Sequence, residues 1–268
     1  MEKIDMSKKS NLEKLTKGFP EIDGLKKLFT YSQSAENQKG CQPFEELNQK
    51  YISLQKQYVN SFHELSKDIV FMIYRREYAK GGEGFHRGVH SPSVMDLVVG
   101  NYNRGRLLKN PQKEKNYNYE YLFDAQNNLI CVYNYSNFDG ASKLISTELF
   151  VRQQNKTLSL LFDSDNEHGL SFMSECQYEN ALFEMSYDSK DCTEINVETY
   201  EYENDLMQSF SWYRYAPSIQ LLDQYKYTFT RNEEGYLFTY TVEQLGGFKP
   251  EAQFDREPVI YEVRKKRK

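Results

Sequence analysis

The sequence predicts an α+β protein. N-terminal helices, one of them long and amphipathic, pack on a large twisted antiparallel β-meander sheet. Three observations carry this reading. Apolar residues recur at steps of three and four from Leu47 to Ile73. From Tyr119 onward the period changes to two, with Asp- and Asn-rich turns between the runs. Aromatic residues make up 15% of the chain, 22 of them Tyr and 17 Phe. Rings of this kind suit half-buried sheets, where a ring packs while a hydroxyl reaches water.

Residues 1–42 read as short helices. Asn11 to Leu15 starts one, and Gly18 and Pro20 interrupt it. Ile22, Leu25, Leu28 and Phe29 then form a stripe at helical spacing, and residues 32–42 read as a loop. Residues 43–80 read as the long helix. Pro43 suits its first turn, and Glu45 and Glu46 suit the positive end of its dipole. Leu47, Tyr51, Leu54, Tyr58, Phe62, Leu65, Ile69 and Met72 or Ile73 form one apolar face. Gly81-Gly82 ends it, with Arg75, Arg76 and Lys80 at the negative end. About 36 residues span roughly 54 Å, enough to cross about ten strands. Residues 81–115 read as a connecting segment with an apolar patch, Val94 to Val99.

Residues 116–263 read as the sheet, and 264–268 as a basic tail, the whole forming one cooperative domain. Tyr119, Tyr121 and Phe123 alternate, Asp124 to Asn128 turn, and Leu129, Cys131 and Tyr133 alternate back, a hairpin signal. Similar units restart after Tyr178-Glu179-Asn180, after Tyr200 to Asp205, and after Asn232 to Gly235. About ten or eleven strands are expected, ending near Val259 to Val263.

The Tyr121-Leu122-Phe123-Asp124 … Asn128-Leu129-Ile130 segment resembles the hairpins of Rhs or YD-repeat proteins, with Gly235 at the turn glycine of a later unit. In architecture and composition the chain also resembles bacterial toxin-immunity proteins that cover one face of a large antiparallel sheet with helices. That resemblance implies a free sheet face that docks a toxin.

The net charge of −5 is unevenly spread. Residues 1–115 carry a net of +6, and residues 116–268 a net of −11. Between Thr157 and Tyr213 stand thirteen acids and one base, Lys190. Acids are poor strand formers and like charges on adjacent strands repel. Such a field speeds encounter with a basic partner and excludes others. The expected partner-binding residues are Glu184, Asp188, Glu194, Glu198, Tyr200, Glu201, Tyr202, Glu203 and Asp205. The expected partner is a basic protein, with a toxin domain as the most concrete form.

A second candidate is basic. His86, Arg87 and His90 lie in Gly84-Phe85-His86-Arg87-Gly88-Val89-His90, followed by Arg104 and Arg106. Paired histidines suit a metal on a helix, but four glycines and Pro92 argue for a loop, and the glutamate of HExxH is missing. Arginines near glycines hold phosphate elsewhere, yet no P-loop surrounds these, so no nucleic-acid partner is expected. The four cysteines form no CxxC pair, which points to reduced thiols and to no metal or cofactor. Mean hydropathy is −0.79 and no window approaches 18 apolar residues, so no membrane partner is expected. The polar residues 1–9 lack a secretion signal's apolar stretch, and a cytoplasmic location is expected.

Three functions remain open at this level. The first is a toxin-neutralising immunity protein acting by occlusion. The second is a hydrolase or nuclease using His86, His90 and Arg104. The third is a structural component of a bacterial or phage assembly.

Overall fold

The computed structural model describes residues 23–81, 94–95, 106–109, 117–138, 141–165, 168–177, 180–188, 191–233, 237–248 and 260–262. Strand dominates these residues. Among the described residues four helices, α1 (Asp23–Ser32), α2 (Ala35–Tyr58), α3 (Phe62–Ser66) and α4 (Ile69–Met72), precede a long series of antiparallel strands. The chain is therefore mostly β, a correction to the α+β expectation of one long helix over 43–79.

The helical periodicity was real as far as Tyr58. α2 starts earlier than expected, at Ala35, where the Ser34 hydroxyl accepts from the Asn37 amide at 3.2 Å and caps it. Pro43 sits inside it, not at its first turn. At its far end both the amide and the hydroxyl of Ser61 donate to the Tyr58 carbonyl, at 3.0 and 2.8 Å. These bonds satisfy a terminal carbonyl while turning the chain. The apolar steps at Phe62, Leu65 and Ile69 continue through two separate short helices. Arg75–Lys80 is a strand, β1. It pairs antiparallel with β3 (Tyr119–Phe123), from Arg75 opposite Phe123 to Ala79 opposite Tyr119. Arg75 and Arg76 of β1 are met across the ladder. The Arg75 guanidinium lies 3.9 Å from the centre of the Phe123 ring. Arg76 pairs with Glu120, which also accepts from the hydroxyls of Tyr78 and Tyr135, both at 3.3 Å.

The chain divides into two compact units, one of residues 51–191 and one of residues 1–50 with 192–268. In the 51–191 unit the strand order is β2-β1-β3-β4-β5-β6-β7-β8, every neighbouring pair antiparallel. Here β2 is Arg106–Leu107, β4 Leu129–Phe138, β5 Ala141–Gln153, β6 Lys156–Asp163, β7 Leu170–Gln177 and β8 Ala181–Asp188. The expected Asp124 turn is present. The Asp124 carboxylate accepts from the amides of Gln126 and Asn128, at 3.0 and 2.7 Å, with Asn127 left-handed at φ 63°. On one face Leu158, Leu160, Phe162, Met173 and Met185 are buried. Tyr51 of α2 packs on Phe183 there, and Phe62 of α3 packs edge-on to Phe162 with ring centres 5.3 Å apart. Glu175 is fully buried on this face and pairs with Lys156 at 2.7 Å.

In the other unit the order is β9-β10-β11-β12-β13, again antiparallel throughout. These are Asp191–Glu203, Leu206–Ala216, Leu221–Arg231, Leu237–Gly246 and Ile260–Glu262. The first half of α2 packs on one face of it. Phe44 meets Tyr213 and Tyr215, with ring centres 5.7 and 5.8 Å apart. The Asn37 amide donates to the Gln220 carbonyl at 2.6 Å. All four cysteines are buried free thiols. Among the described residues no helix is long and apolar enough to cross a membrane.

Candidate functional site

The densest part of the expected acidic region is β9. Side chains alternate between the faces of a strand, so one face carries Glu194, Asn196, Glu198, Tyr200 and Tyr202 and the other Ile195, Val197, Thr199, Glu201 and Glu203. The expected acidic surface is thus divided between two faces.

The Glu194 to Tyr202 face is an aromatic ladder. Phe210 stacks on Tyr227 with ring centres 4.5 Å apart and planes 6° apart. Trp212 stacks on Tyr225 at 5.6 Å, and Tyr227 meets Tyr240 at 6.1 Å. Glu198 is only 2% exposed, and the Tyr200 hydroxyl donates to it at 2.8 Å. Next to it a polar chain crosses two strands. The Trp212 indole donates to Asn196 at 3.2 Å, Asn196 to Glu194 at 2.8 Å, and Arg214 to Glu194 at 2.6 Å. Glu198, Tyr200 and Glu194 are therefore committed within the fold.

The opposite face is covered near Ile195, Tyr215 and Leu222 by α2. An open cleft of about 370 Å³ lies there, lined by Glu45, Glu46, Asn48, Tyr215 and Gln220 among others. The Gln220 amide donates to Glu45 at 3.1 Å. Burial, then the Cys41 and Glu45 charges, push the Tyr215 hydroxyl well above its ordinary range. It stays neutral and gives the cleft no general base.

Toward its end β9 leaves the packed layer. Glu201, Tyr202 and Glu203 are exposed, and so are Asn204, Asp205 and Leu206. Asn204 and Asp205 both have positive φ, 50° and 61°, and Glu203 pairs with Leu206. That is a two-residue turn of the primed class, whose twist matches the flanking strands. Asn and Asp accept this conformation more readily than other side-chain-bearing residues. Glu201 is held below the usual carboxylate range by the Ser209 hydroxyl and then by Lys226, whose ammonium lies 3.0 Å away. Glu203 and Asp205 flank two exposed apolar side chains, Tyr202 at 43% and Leu206 at 47%. The tip is an acidic hairpin with two exposed apolar side chains.

The remaining expected residues lie elsewhere. Glu184 is buried within β8 of the 51–191 unit, and Asp188 is exposed at the end of that strand. Arg106 is exposed in β2, opposite Lys80. His86, Arg87, His90 and Arg104 lie outside the described residues, as does the tail 264–268. The structure adds Leu206 to the expected acidic set; its place directly after Asn204-Asp205 was the signal that identifies it. No known protein family and no curated protein matches the chain.

Proposed function

We propose that this chain is a protein-binding module whose β9–β10 hairpin tip docks a basic protein partner. Its most concrete form is an immunity protein that neutralises a bacterial toxin by covering a basic catalytic cleft. One observation carries the reading. Glu203 stands opposite the exposed Leu206 across the turn, Asp205 precedes it, and the exposed Tyr202 lies on the other face of the same hairpin tip. Exposed apolar side chains among acidic neighbours have the anatomy of a small binding centre. The acids steer a cationic surface into register, and the apolar pair loses water on contact. A preformed turn spares the ordering cost that a flexible loop meets on binding.

A photo-crosslinking amino acid at position 202, in cells that make the chain, captures the partner. Affinity for that partner is then measured with Glu203→Lys/Asp205→Lys and with Tyr202→Ala. The charge reversal lowers affinity by about 30-fold or more, mainly through the association rate, with a strong salt dependence. Tyr202→Ala acts mainly on dissociation. Absence of an adduct, or unchanged affinity in both variants, would reject the reading. Glu198 is unsuitable for this experiment, because reversing a buried charge reports on folding instead.

A further inference from the structure

An apolar knob stands out from the 51–191 unit. Four large apolar side chains stand in solvent within five residues: Val70 at 66%, Phe71 at 86%, Met72 at 46% and Tyr74 at 77%. Ile69 is buried and fixes the base of this knob. The chain leaves it directly into β1, where the Tyr74 amide donates to the Phe123 carbonyl at 2.8 Å. The knob is therefore held on the end of a strand.

We infer that this knob inserts into the interfacial layer of a lipid bilayer. Three observations select that occupant. Successive helical residues are about 100° apart, so Val70, Phe71 and Met72 fan out over about 200°. A helix that docks in a protein groove presents a single stripe; a fan of apolar chains suits a medium that is apolar on all sides. The order along the chain also matches the depth profile of a membrane surface. The apolar tip is followed by Tyr74, then by Arg75 and Arg76, with Lys67 on the other flank. Tyr belongs at the headgroup level and the exposed Lys67 suits the phosphates, while Arg75 and Arg76 are already engaged by Glu77 and Glu120. Finally, the two exposed rings offer roughly 300 Å² and the whole knob roughly 500 Å². A stable pairing of two protein surfaces needs about 800 Å² from each side, more than the knob supplies to a second copy.

This contact is a shallow insertion, distinct from the spanning helix that the hydropathy excludes. Glu64, Asp68 and Glu77 nearly balance Lys67, Arg75, Arg76 and Lys80 nearby. Apolar transfer, not charge, therefore dominates the binding.

Flotation of the full chain with vesicles tests it, using phosphatidylcholine alone and phosphatidylcholine with phosphatidylserine. The chain floats with both, within about threefold of each other. Phe71→Asp/Met72→Asp reduces the bound fraction by about tenfold or more with an unchanged thermal midpoint. Leu245→Asp, at another exposed apolar position, leaves it unchanged. Failure to float with either vesicle overturns the inference. So does flotation that the double variant leaves intact, or a concentration-dependent dimer that the double variant abolishes. The hairpin reading is untouched by any of these outcomes, since it rests on different residues.

Discussion

Replacing Lys156 with Met tests the energetic role of the buried charge in the sheet. Glu175 is completely buried, and its Oε2 lies 2.7 Å from the Lys156 ammonium, while the Gln177 amide donates to Oε1 at 2.7 Å. Removing one partner of such a pair leaves a carboxylate away from water, at a usual cost of about 3–5 kcal/mol. Lys156 keeps 21% of its side-chain surface, and the Gln177 donor remains. The expected loss is therefore lower, about 2–3 kcal/mol. At roughly 2–4 °C per kcal/mol this lowers the melting point by about 5–10 °C. Glu175→Gln keeps the volume and removes the charge, at about 1 kcal/mol. The double variant Lys156→Met/Glu175→Gln recovers to within about 1 kcal/mol of the parent, because no charge is stranded. Urea unfolding followed by circular dichroism, fitted at constant m, measures all four proteins. If Lys156→Met costs less than about 0.5 kcal/mol, or if the double variant equals the sum of the singles, the pair does not compensate Glu175 and the reasoning fails.

Two further predictions follow in the 1–50/192–268 unit. Burial raises the Asp223 carboxyl above its usual value, with Arg214 opposing. A raised carboxyl favours the folded state at low pH and loses that contribution as pH rises through the folded value. Asp223→Asn should therefore raise the urea midpoint at pH 7, with the gain closing as pH falls toward the ordinary value near 3.8; a gain constant with pH would disprove the burial argument. Gly247 has φ 113°, and a Cβ there would meet Asp223 Oδ1 at 2.6 Å and the Asp223 backbone at 3.0 Å. Gly247→Ala should cost roughly 1–3 kcal/mol in the same urea assay, and a neutral variant would show that this turn relaxes freely.

The hairpins were legible because their turn residues are local signals. Asp124 to Asn128 and Asn204-Asp205 set both the turn geometry and the strand register, and the alternating rings on either side follow. The helical stretch was only half legible. Leu47, Tyr51, Leu54 and Tyr58 mark a true face, but the same spacing continues through Phe62, Leu65 and Ile69 after the chain has turned at Ser61. Nothing in Arg-Arg-Glu-Tyr-Ala-Lys marks β1 as a strand. Its reasons lie across the ladder, in Glu120 and Phe123 some forty residues away. The acidic site was legible as composition and not as surface. A glutamate in a strand looks solvated from sequence alone, and only the rings of the neighbouring strands bury Glu198. What separates Glu203 from Glu198 is five positions, which put it on the opposite face and at the tip of the strand.

The division of the chain sets an order of assembly. Residues 1–50 and 192–268 belong to one unit, and the chain between them makes the other. Almost every strand meets its partner as soon as the next hairpin is made, which keeps those contacts short in sequence. The first half of α2 has no such neighbour in time. Asn37 waits for Gln220, 183 residues later, and Phe44 waits for Tyr213. At about 5–20 residues per second a ribosome needs roughly 10–40 s to supply them. For that interval a helix built to be covered is on display, and whatever shields it then, chaperone or its own chain, belongs to the protein's synthesis as much as the sheet does.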